Sequence, residues 1–142
     1  MERYKKCSIV SLLLKVAEEK NPFKISFFSS RKLIAFYILY LLNKKDFYGQ
    51  ELMLKIQEDS KGMWIANPGF VYPVLKRLRR EGLIEGAWSK DSPHPRLIYS
   101  MTEKGKSEYK EVYSVLKGKY DEFLEKLEML KKEVFSNERN SK

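Results

Sequence analysis

The chain has 142 residues, 28 Lys and Arg against 19 Asp and Glu, a net charge of +9 and 43% hydrophobic residues. That length suits one domain with appendages, and the apolar content can supply a core, which excludes a disordered or fibrous chain. The single cysteine, Cys7, excludes an internal disulfide and suits a reducing compartment. The one histidine, His94, leaves too little for a His-built metal centre or a catalytic triad, and the longest apolar run, Ile34 to Leu42, has nine residues, too few to cross a bilayer. Ile9 to Leu14 mimics a secretory core, but Lys15, Glu18 and Glu19 interrupt it and no small-residue cleavage site follows. A soluble cytoplasmic protein with no membrane partner is expected.

The charge excess lies ahead of the tail: +3 over residues 1–30, +5 over 31–101 and +1 over 102–142. A basic excess on one segment is the footprint of a polyanion binder and is also common in ordinary soluble proteins.

Ser8 to Lys20 reads as a short amphipathic helix with Ile9, Leu12, Leu13 and Val16 on one stripe, stopped by Asn21-Pro22. A second helix begins after Ser29-Ser30, runs to about Asn43 and has no polar face, so it needs cover on all sides, which suggests a partner chain. Asp46 is placed to cap a third helix from Phe47 to about Ser60, and a short strand is expected around Trp64-Ile65. Asn67-Pro68 opens a fourth helix: Asn supplies a capping oxygen, and Pro gives up an amide that has no helical partner. Leu83–Ser89 and Arg96–Met101 read as a hairpin around the turn-forming Lys90–Pro95, and Thr102 caps a last helix running to about Phe135.

Three short helices, a hairpin and a long helix make a mainly α chain with a small β wing (α+β), the winged helix-turn-helix plan. The expected divisions are an N-terminal extension over 1–28, a DNA-binding domain over 29–101, a dimerisation helix over 102–135 and a frayed tail over 136–142. The extension either lengthens a dimer interface or adds a basic arm through Arg3, Lys5 and Lys6.

At about 100° per residue, Val71, Val74, Leu75 and Leu78 form a core stripe on the fourth helix. The opposite face collects Gly69, Pro73, Lys76 and Arg80, flanked by Tyr72 and Arg77, with no carboxylate on it. Such a face fits the major groove of double-stranded DNA or is simply a solvated basic surface; the hairpin, with Lys90, His94 and Arg96 near its tip, favours DNA. In the tail, Tyr109, Tyr113, Leu116, Tyr120, Phe123, Leu127, Leu130 and Val134 recur at alternating steps of four and three. That repeat of about 3.5 residues is the seam of a paired helix and predicts a homodimer. Phe36, Tyr37 and Tyr40 either meet Tyr113 and Tyr120 in an aromatic pocket for a flat effector or fill core, and core is the stronger reading. No Gly-rich phosphate loop, HExxH or paired cysteine is present, so no catalytic residue, metal or cofactor is expected. A winged-helix module that binds protein is the alternative to a DNA-binding one.

The segments Tyr48-Gly49-Gln50-Glu51-Leu52, Asn67-Pro68-Gly69-Phe70-Val71-Tyr72-Pro73-Val74-Leu75-Lys76-Arg77-Leu78, Glu81-Gly82-Leu83-Ile84 and Tyr99-Ser100-Met101-Thr102-Glu103-Lys104-Gly105 resemble the PadR family of transcriptional regulators. The match spans roughly residues 30–107 and departs from the family pattern at Phe70, where a small hydroxyl residue is usual, and at Met101. The resemblance implies a homodimeric DNA-binding regulator reading a palindromic operator with helix and wing, of the shorter subclass whose single C-terminal helix makes the dimer. It places Asn67, Gly69, Phe70, Tyr72 and Pro73 beside Lys76, Arg77 and Arg80 at the DNA. Some members bind aromatic small molecules at the dimer centre, but no motif here carries that property over.

Overall fold

The computed structural model describes residues 30–90 and 93–136. The expected Ser8–Lys20 helix, the basic arm and the tail beyond Ser136 lie outside the described residues.

Helix α1 (Ser30–Lys44) is the centre of the core. Ile34, Ala35, Ile38, Leu39, Leu41 and Leu42 are buried, while Leu33, Phe36, Tyr37 and Tyr40 remain half-exposed. One copy of the chain thus covers most, but not all, of this apolar helix.

Phe47 and Tyr48 do not begin the next helix. They form strand β1, and α2 spans Gly49–Asp59. Asp46 is therefore not its cap: the Tyr48 amide donates to Glu51 Oε2 at 2.9 Å, closing the helix start from inside. Burial of the Phe47 ring holds the two residues extended, and β3 offers an edge for them to pair with. Leu52, Met53 and Ile56 carry α2 into the core.

The strand expected at Trp64-Ile65 does not form. Lys61 and Gly62 both adopt left-handed backbone angles (φ 54° and 78°), which turn the chain back on itself. Trp64 then packs edge-on to Tyr37, with centroids 5.6 Å apart, while Ile65 stays exposed.

Helix α3 (Pro68–Arg80) begins as its sequence predicts: Asn67 Oδ1 accepts the Phe70 amide at 2.9 Å. Val71, Val74, Leu75 and Leu78 are all buried, as the stripe requires. Strands β2 (Ile84–Trp88) and β3 (Leu97–Met101) follow, pairing antiparallel from Ile84 opposite Met101 to Trp88 opposite Leu97. β1 lies on the other edge of β3, with Phe47 opposite Tyr99, so the sheet order is β1-β3-β2.

Helix α4 (Glu103–Leu130) continues into a π-helical turn over Lys131–Phe135. Thr102 caps it, accepting the Gly105 amide at 3.0 Å and donating to the Gly82 carbonyl at 2.6 Å, which ties the helix start to the loop after α3. Tyr109, Val112 and Leu116 pack into the core. The result is a helix-rich winged helix-turn-helix domain with one long helix leaving it. Among the described residues, no helix is long and apolar enough to cross a membrane.

Candidate nucleic-acid interface

Because α3 buries its apolar stripe, its other side is held outward. Gly69, Tyr72, Pro73, Lys76 and Arg80 are all exposed there. Asn67 is also exposed, its side-chain oxygen committed to the helix cap.

Two residues expected on this face are placed differently. Phe70 turns its ring toward the core, half-buried, with the Arg31 guanidinium 5.8 Å from its centroid. Arg77 is half-buried and its Nε lies 3.2 Å from Glu81 Oε1, so its charge is partly neutralised. Both lie more than a quarter-turn from Lys76 toward α1, where burial competes with solvent.

One residue was missed. Arg79 is exposed two turns after Tyr72, hence on the same side of α3. Its guanidinium carbon is 3.4 Å from where a Cβ on Gly86 would stand, so it lies against β2. The spacing from Tyr72 was the available signal. Among the described residues, no carboxylate forms an ion pair with Lys76, Arg79 or Arg80.

The wing stands beside this ridge. Lys90, His94 and Arg96 are exposed, and Ser89 and Arg96 close the hairpin through the Ser89 amide to the Arg96 carbonyl at 2.8 Å. The Arg96 guanidinium lies 5.6 Å from the Tyr48 ring centroid. Tyr72 reaches the start of α2, where a Cβ on Gly49 would fall 2.8 Å from its hydroxyl oxygen.

The expected dimer seam divides in two. Tyr109 and Leu116 face the chain's own core, together with Val112, which the heptad count omits. Tyr113, Tyr120, Leu127, Leu130 and Val134 are exposed and Phe123 is half-buried.

The five rings proposed for an effector pocket are not gathered within one copy of the chain. Phe36 stacks on Tyr109 (5.6 Å), which neighbours Tyr113 (6.1 Å). Tyr37 and Tyr40 instead face a cleft with Lys44, Lys45, Lys55 and Asp59. There the Tyr37 hydroxyl donates to Asp59; burial and that contact push its phenol pKa up, and Asp59 is held below the usual carboxylate range by Tyr37 and Lys55. Tyr120 lies two turns beyond Tyr113, about 10 Å along α4. No His, Cys, Asp or Glu group among the described residues could hold a metal ion.

The model of the transcriptional regulator PadR-like family matches residues 38–111, more than half of the chain. The chain belongs to the PadR-like family. This is a family of transcriptional regulators, not of enzymes. A PadR-like transcriptional regulator from Bacillus cereus is 28% identical with a TM-score of 0.57, over 67% of this chain and 90% of its own. A PadR family regulator from Clostridium difficile is 29% identical with a TM-score of 0.51, over 64% and 97%. Bacillus subtilis PadR, solved in complex with operator DNA, is 28% identical with a TM-score of 0.50, over 55% of this chain and 45% of its own. No curated protein matches the chain.

Proposed function

We propose that this PadR-like protein is a dimeric, sequence-specific DNA-binding regulator acting in the cytoplasm. Helix α3 enters the major groove with Gly69, Tyr72, Pro73, Lys76 and Arg80 toward base edges and phosphates, and Arg79 beside them. Lys90, His94 and Arg96 of the wing follow the flanking backbone.

One observation carries this reading: the exposed side of α3 holds Lys76, Arg79 and Arg80 without a paired carboxylate among the described residues. Cations left unneutralised by the fold are available to displace counterions from a duplex. The operator-bound Bacillus subtilis relative supports the same use of the family's fold.

Two copies pair through Tyr113, Tyr120, Leu127, Leu130 and Val134, exposed apolar residues that one chain leaves in water. Symmetry then presents two α3 ridges to a palindromic operator, about one helical turn apart.

The test is a salt series on duplex DNA. Lys76→Ala with Arg80→Ala is expected to weaken binding and to lower the slope of log affinity against log salt by about 2, near one unit per lost phosphate contact. Parent-like affinity and slope in the double variant would contradict the assignment.

A further inference from the structure

Beside the α3 ridge lies a half-open cleft of about 400 Å³, walled by Tyr48 and Gln50 at the start of α2, Tyr72 of α3, and Trp88 and Arg96 of the wing. Among the described residues, no acidic side chain lines it. Trp88 is 66% exposed, although tryptophan has the most to gain from cover. Its place opposite Leu97 puts the indole on the sheet face that carries Leu97 and Tyr99, toward α3.

We propose that this cleft seats one sugar–phosphate unit of the DNA backbone, with Arg96 opposite the phosphate and Trp88 and Tyr48 against the deoxyribose. The inference rests on the DNA-binding reading of α3 and adds Tyr48, Gln50 and Trp88 to the contact surface. Continuity supports it: Tyr72 belongs both to the ridge and to the cleft wall, so a strand leaving the α3 face runs directly into the trough. Charge supports it too: among the described residues no carboxylate lines the cleft, and its single guanidinium complements one phosphate. The open shape suits a continuous backbone, whereas small-ligand sites enclose most of their ligand.

A backbone contact is independent of sequence, so the probe is a fluorescein-labelled mixed-sequence duplex of about 30 base pairs, enough for two half-sites. The chain has two tryptophans, and Trp64→Phe leaves Trp88 as the sole indole reporter. Its emission is expected to change on titration with duplex and to saturate together with the anisotropy of the label. Trp88→Phe in the parent chain is expected to abolish that change. Trp88→Ala is expected to weaken binding about tenfold at every salt concentration with the slope unaltered, while Arg96→Gln lowers the slope by about 0.9.

Unchanged Trp88 emission at saturating duplex, with the Lys76 and Arg80 substitutions still weakening binding, overturns the cleft and leaves the α3 reading standing. Loss of the Lys76 and Arg80 effect overturns both. Sodium benzoate that quenches Trp88 and displaces the duplex also overturns the proposal, by making the cleft a small-molecule pocket.

Discussion

Gly105 at the start of α4 lies so close to Leu83 that a Cβ there would stand 2.0 Å from the Leu83 carbonyl oxygen. The contact is backbone on backbone and has no flexible side chain to yield. It joins the long helix to the start of the wing, beside the Thr102 hydroxyl bond to Gly82.

Gly105→Ala is expected to cost at least about 3 kcal/mol, since the helix and strand must separate to admit the methyl group. Gly118, also in α4, is a control, because nothing lies within 4 Å of its added Cβ. Gly118→Ala is expected to raise stability by up to about 1 kcal/mol through helix propensity alone. Thermal melts of the two variants should therefore shift in opposite directions.

Gly49→Ala meets a different neighbour. Its Cβ would fall 2.8 Å from the Tyr72 hydroxyl oxygen, the far end of a side chain able to swing away. Stability is expected to change by less than about 1 kcal/mol, because the ring can move into solvent. Duplex affinity is expected to fall several-fold as Tyr72 leaves the α3 ridge. A melt and a binding isotherm on the same sample separate the two effects.

Tyr120 and Leu127 are exposed on the outer part of α4, away from the core contacts of Tyr109, Val112 and Leu116. Tyr120→Glu with Leu127→Glu is expected to leave the winged domain folded and to convert a dimer to a monomer in sedimentation. Duplex affinity should drop with dimerisation, because the second half-site is no longer delivered by the same particle.

Tyr37 and Asp59 give a pH signature. The folded Tyr37 phenol titrates above its ordinary value near 10, through burial and the bond to Asp59. Its contribution is fully present below that ordinary value and is lost as pH rises from there through the folded pKa. Asp59 is depressed by Tyr37 and Lys55, so its contribution holds above the ordinary carboxylate value and is lost as pH falls through the folded one. Tyr37→Phe is expected to flatten the decline in stability above about pH 10 and to weaken the acid-side loss. Denaturant midpoints across pH measure both limbs.

Much of this fold can be read from local chemistry. Asn67, Pro68 and the Val71–Leu78 stripe specify α3 within one segment, and Thr102 specifies the start of α4. Phe47 and Tyr48 escape such reading because two residues carry no period, and their strand exists only because β3 supplies an edge. Trp64 and Ile65 have strand-forming side chains, overridden by the left-handed pair before them. On α4 the apolar repeat marks a stripe but not what covers it: Tyr109 and Leu116 meet the chain's own core, and Tyr120 and Leu127 do not. At the candidate interface, charge pattern alone finds Lys76 and Arg80. The diversion of Arg77 to Glu81 and the position of Arg79 against Gly86 depend on what packs beside α3.

In the proposed assembly, two copies hold paired cationic ridges on one operator. Selection of bound sites from a random duplex pool tests it most directly. Enrichment of an inverted repeat with half-sites about 10 base pairs apart, lost on Lys76→Ala with Arg80→Ala, is the predicted result. Failure of the folded protein to enrich any repeat, or enrichment that survives both substitutions, would contradict it.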